Sequence, residues 1–208
     1  MRNLFFILIF LTSISISSEE TISRWMADYF KRIHDHIVEE NYEKAQYELE
    51  MGNNNYFRGG RTYEAALLYQ LYGQFYAVQS QYTNAIPWFE KALATEKMPR
   101  IGAQEVRFQL AQTYFMVGKY ENVIPLLEDF INIGEKYKYP ISARVNLLMS
   151  YSHGRIDQYE SAYFHIKQAN NKSDKPQTDW IEYAFSLAMK LEKLDDAEVL
   201  GTRLLFLE

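Results

Sequence analysis

Four histidines and one acidic pair are the side chains here best suited to acid-base or metal chemistry. His34 and His36 stand two residues apart in a helical pattern, which turns them about 200° from each other, so they cannot close on one metal ion together. His153 falls in a stretch that reads as a turn, and His165 lies between apolar positions of a packing helix, so no pair with metal-ligand spacing emerges. Asp195 and Asp196 open a helical run, where carboxylates compensate the helix dipole before they serve catalysis. With no cysteine, no Gly-rich phosphate loop and no activated serine motif, nucleophilic and phosphoryl chemistry lack a carrier. The expectation is a protein that is not an enzyme, with no catalytic residue, no metal and no cofactor.

Other residues point to packing and to holding partners. Tyr69, Tyr72 and Tyr76 share one face of a helix with Gly73 between them, and after a short polar turn Tyr82, Ala85, Phe89 and Ala92 recur at helical spacing on a second helix. The order large-x2-large-Gly-x2-Tyr, then Ala-x3-Phe-x2-Ala, resembles the tetratricopeptide (TPR) repeat, whose paired helices pack antiparallel where small residues let them approach. The pattern recurs. Leu110, Ala111 and Tyr114 take the places of Tyr72, Gly73 and Tyr76, with Gly118 at the turn and Tyr120, Val123, Leu127 and Phe130 beyond it. Leu147, Leu148 and Tyr151 precede Tyr159, Ala162, Ile166 and Ala169, across a turn from Ser152 to Gln158 that reads about two residues longer. Trp180, Ala184, Leu187 and Leu191 precede Leu194, Ala197, Leu200 and Leu204. Trp25, Tyr29, Phe30, Ile33 and Ile37, followed by Tyr42, Ala45 and Leu49, make a divergent first copy that ends at a turn-forming Gly52-Asn53-Asn54-Asn55. A single Arg58-Gly59-Gly60-Arg61 joint reads as flexible linker.

The predicted fold is all-α, a TPR-type α-α superhelix forming a right-handed solenoid of about five hairpins, over residues 22–51, 61–95, 101–136, 139–170 and 177–207 within a domain spanning 19–208. Proline placement agrees, because a helix-interior proline costs roughly 3 kcal/mol. Pro99, Pro140 and Pro176 fall between hairpins, and Pro87 and Pro125 share one register near the start of a second helix.

In such an array the other face of each first helix lines the concave side. Counting along the repeat gives Gln70 and Gln74, then Phe108, Gln112 and Phe115, then Val145 and Met149 as a partner-binding groove. Amides can bond the backbone of an extended peptide while the apolar members contact its side chains. The groove is neutral and lacks the Lys and Asn that clamp a C-terminal carboxylate, so an internal segment is the expected ligand. A second contact surface is expected at the C-terminal end, where Leu200 and Leu204 form an apolar face that meets a partner or a second copy.

With 22 basic against 27 acidic residues, the net charge of -5 argues against attraction to a phosphate backbone, so nucleic acid is not an expected partner. Arg2, the apolar run Leu4 to Leu11 and the small polar stretch Thr12 to Ser18 have the outline of a secretory signal peptide over residues 1–18, cleaved near Ser17 or Ser18; the alternative is an uncleaved anchor. The runs from Ala65 to Leu93 and from Val106 to Ile131, and the Trp180-initiated stretch, resemble the TPR proteins of bacterial TonB energy-transduction systems. That resemblance implies a periplasmic scaffold, touching the membrane only indirectly, whose partner is a TonB-ExbB-ExbD-type complex. The alternative is an envelope assembly factor that oligomerises through its apolar C-terminal end.

Overall fold

A computed structural model describes residues 22–55, 60 and 62–206. The segment read as a signal peptide lies outside the described residues, as do Arg58, Gly59, Arg61 and Leu207. Among the described residues there is no strand, and ten helices follow one another: α1 (Arg24–Val38), α2 (Tyr42–Asn55), α3 (Tyr63–Val78), α4 (Tyr82–Ala94), α5 (Arg100–Met116), α6 (Tyr120–Tyr137), α7 (Ala143–Arg155), α8 (Tyr159–Lys172), α9 (Thr178–Lys190) and α10 (Leu194–Leu205). None is long and apolar enough to cross a membrane. The chain divides into two compact units, the first ending at Thr113 inside α5 and the second beginning at Tyr114.

Five turns set the hairpins, and they share one geometry. Glu40, Ser80, Gly118, Asp157 and Glu192 have φ of 59°, 60°, 77°, 61° and 56°, and each sits two residues before the first residue of α2, α4, α6, α8 or α10. The following amide in each case reaches back five residues, from Asn41 to the His36 carbonyl, Gln81 to Tyr76, Lys119 to Tyr114, Gln158 to His153 and Lys193 to Ala188, at 2.8 to 2.9 Å. This is the 6→1 bond of a Schellman stop, which satisfies carbonyls that the helix end would leave bare. Only Gly118 adopts its positive φ without side-chain strain.

Measured from the turn residue, one register runs through all second helices. The position five residues on is Ala45, Ala85, Val123, Ala162 or Ala197, and each is buried. Nine residues on stand Leu49, Phe89, Leu127, Ile166 and Gly201; seven residues before the turn stand Ile33, Gly73, Ala111, Ser150 and Phe185. In the second hairpin Gly73 makes room for the Phe89 ring, since a Cβ there would lie 2.5 Å from Phe89 Cε1. The fifth hairpin reverses the assignment: Phe185 supplies the bulk from the first helix, and Gly201, whose Cβ would lie 3.3 Å from Phe185 Cε2, makes the room on the second.

In the first unit, Ile33, Ile37, Leu49, Leu68, Phe89 and Val106 are fully buried. Trp88 stacks on Tyr72 with ring centroids 4.0 Å apart, and Lys91 Nζ lies 4.2 Å from the Trp88 ring centre. Arg32 pairs with Glu48 at 2.7 Å, and the Tyr29 hydroxyl donates to the Glu48 carbonyl, so both tie α1 to α2. In the second unit, Ala162, Ile166, Trp180, Ala184, Leu187 and Ala197 form one buried cluster against which Leu200 packs. Asp196 on α10 accepts from the Tyr163 hydroxyl at 2.7 Å and from Lys167 at 3.1 Å, which fastens α8 to α10.

Two local expectations are corrected. Gly52 to Asn55 continue α2 instead of turning, because Gly52 is buried, with a would-be Cβ only 2.8 Å from the Tyr29 hydroxyl and 3.2 Å from Leu68 Cδ1. The turn after α7 is no longer than its counterpart after α3, since α7 stays helical through Arg155 and leaves three residues before α8. Ile101 and Gly102 lie in the first turn of α5, inside the expected bounds of the third hairpin, with the Ala103 amide bonding the Pro99 carbonyl at 2.9 Å. Pro87 and Pro125 each occupy the sixth position of their helix, the shared register expected of them.

Candidate functional site

The α3 helix begins at Thr62, whose hydroxyl accepts from the Ala65 amide at 3.2 Å. That start fixes the register which places Gln70 and Gln74 one turn apart on a single face. On α5, Gln109 and Gln112 stand three residues apart, and Thr113 returns its hydroxyl to the Gln109 carbonyl at 2.7 Å. The two helices meet through their amides: Gln70 Nε2 donates to Gln109 Oε1 at 3.2 Å. Beside this bond a shallow depression is lined by Gln74, Ala77, Val78, Gln109, Gln112 and Thr113, with Phe89 at its floor. Its polar lining carries no formal charge, and each amide can donate and accept at once.

Of the seven groove residues read from the sequence, Gln74 and Gln112 line this depression and Gln70 flanks it. Gln74 is only 8% exposed, within a run from Leu71 to Phe75 that is buried throughout, so α3 can meet a partner there only through the depression. Phe108 is half-buried on α5 in the same unit. The remaining three belong to the second unit. Phe115 sets its ring edge-on against Tyr120 at 5.1 Å, which makes it a hairpin contact. Val145 and Met149 are 1% and 2% exposed, so neither offers a surface to a partner. Every residue from Val145 to Ser150 is buried, and α7 has no solvent face along that length from which a groove could be built. Counting every fourth residue passed over Gln109, the amide that joins the helices; the signal that could have found it is the cluster Gln104, Gln109 and Gln112 on α5.

The C-terminal surface is also shifted from the expected one. Leu200 and Leu204 are half-buried, and the apolar side chains turned outward are Leu194, Val199, Leu205 and Phe206, the last two 74% and 85% exposed.

The histidines yield a pair that sequence reasoning missed. His153, at the end of α7, and His165, in the middle of α8, lie ring against ring with centroids 5.5 Å apart and planes 5° from parallel. His153 Nδ1 donates to Gln158 Oε1 at 2.6 Å, and His165 Nδ1 donates to Asn146 Oδ1 at 3.3 Å. Lone pairs on imidazole nitrogens lie in the ring plane, and parallel planes share no point, so the two rings do not converge on one ion. Among the described residues no cluster of three or more His, Asp or Glu side chains is placed to hold a metal. His34 is buried on α1, where desolvation lowers its pKa.

No family model and no curated protein matches the chain. Solved structures do. MamA from Desulfovibrio magneticus RS-1, residues 41 to the end, is 16% identical over 90% of this chain and 97% of its own, with a TM-score of 0.69. YrrB, described as a TPR protein with an unusual peptide-binding site, is 14% identical over 86% of this chain and 84% of its own, also at 0.69. MamA AMB-1 is 17% identical over 86% and 90%, at 0.67. At such identities the likeness establishes the fold, which is that of a TPR array.

Proposed function

We propose that the protein is a non-catalytic scaffold that holds an extended, internal segment of another polypeptide on the amide-lined face of α3 and α5. The observation that supports this most directly is the Gln70-Gln109 bond and the uncharged depression beside it, lined by Gln74 and Gln112. A peptide backbone alternates donors and acceptors, and a row of carboxamides answers both without selecting a terminus. The test is selection of a phage-displayed dodecapeptide library on the full chain, followed by calorimetry of the recovered peptides. Gln74→Ala combined with Gln112→Ala should weaken their binding about tenfold; unchanged affinity would remove the site from this face.

The finer assignment we propose is a periplasmic accessory of a TonB-type system, supported by the sequence resemblance and by the signal-like first 18 residues. Affinity purification from native envelopes should then recover ExbB- or ExbD-type subunits, and recovery from the cytoplasmic fraction alone would refute the placement. A second reading, self-association through the α10 end, is favoured by the outward side chains of Leu205 and Phe206.

A further inference from the structure

We propose that the facing imidazoles of His153 and His165 make the α7–α8 hairpin an acid-sensitive joint, closed while His165 is neutral and loosened when it takes up a proton. A proton taken up by half-buried His165 would charge a ring stacked face to face with a second imidazole, with no carboxylate acting on it. Both Nδ1 atoms already donate to amide oxygens, and the amide nitrogen of Asn146 is a second donor buried without a hydrogen-bond partner among the described residues. The charges acting on His165 are His153 from α7 and Lys172 from its own helix, and both oppose a positive ring. From α6 and α9, the helices packed on this hairpin, no charge acts on His165 among the described residues, although on other parts of the hairpin Lys190 lies 3.5 Å from the Tyr159 ring centre and Asp179 helps to raise the Tyr151 pKa. Near His153, Arg155 lies over the Tyr120 ring at 5.9 Å, and Asp157 accepts from the Tyr159 hydroxyl. The α9 tyrosine facing this region is Tyr183, whose ring centre is 4.9 Å from that of Tyr151; burial raises its pKa, so it stays neutral.

Burial first, then His153 and Lys172, holds His165 down to about 4. An unfolded histidine titrates near 6.5. The stability that depends on a neutral His165 is therefore complete above pH 6.5 and drains away as pH falls toward 4, because only the opened hairpin binds the proton. Hydrogen exchange of the full chain, corrected for the intrinsic pH dependence of exchange, should show protection across α7 and α8 falling roughly 50-fold between pH 7 and pH 4.5. The α3–α4 hairpin, with no histidine, should fall less than fivefold, and a variant carrying His153→Gln and His165→Gln should flatten the α7–α8 response. Equal losses in both hairpins, or an undiminished response in that variant, overturn the proposal. Should the variant not fold, an NMR titration of the wild-type His165 ring decides: a midpoint below pH 6 supports the joint, and one at or above pH 6 overturns it.

Discussion

Gly73 is where a single hydrogen atom decides the packing of a hairpin. A methyl group there would press on three ring atoms of Phe89 at 2.5, 2.6 and 2.8 Å, and Phe89 is itself buried with no direction in which to retreat. Gly73→Ala should therefore cost about 3 kcal/mol in chemical denaturation. Adding Phe89→Leu should return part of that loss, because the second change clears the space the first one needs. Gly201→Ala, whose new carbon would meet only the edge of the half-buried Phe185 at 3.3 Å, should cost about 1 kcal/mol or less. The Gly73 contact was legible from spacing alone, since a glycine set between large residues on a buried face marks the place where a neighbouring helix comes close. The Gly201 contact was not, because its large partner stands where the repeat pattern calls for a small residue.

At the level of the hairpin, four of the five stops hold a side chain in left-handed backbone. Glu40 and Glu192 are exposed, and their side chains gain nothing that requires the conformation they adopt. Glu192→Gly and Glu40→Gly should each raise stability by about 0.5 to 1 kcal/mol. Gly118→Ala should lower it by about 1 kcal/mol through backbone strain, since its Cβ would meet nothing within 4 Å. Thermal melts of the three variants check both signs at once. Helix order and the second-helix register from Tyr82, Tyr120 and Tyr159 could be read from periodicity, because one buried stripe per helix is a local property. The histidine pair could not, because twelve residues separate its members and only the antiparallel return of α8 along α7 brings them face to face. The burial of Val145 and Met149 was hidden for a related reason. A helix covered on all sides breaks the assumption that one of its faces is free, and no count along a single helix reveals its neighbours.

For the molecule as a whole, the exposed apolar side chains of α10 and its end bear on association. If Leu205 and Phe206 meet a second copy, light scattering should report a multiple of 24.6 kDa for the full-length chain. Phe206→Glu, placed on a residue that is 85% exposed and so of little use to the core, should restore the single-chain mass. A single-chain mass for both would leave peptide holding as the only role of this array. Asp196 links the last hairpin to the one before it through its bonds to Tyr163 and Lys167.

The exchange of roles between Gly73 with Phe89 and Phe185 with Gly201 has a consequence for kinship among repeats. These two pairs have the same summed volume with the roles exchanged, whereas Ile33 and Leu49 at the same positions of the first hairpin are both large. A pattern that scores positions one at a time sees two contradictory residues and deducts for both. A repeat can therefore trade both landmarks at this contact while its two rods go on fitting together.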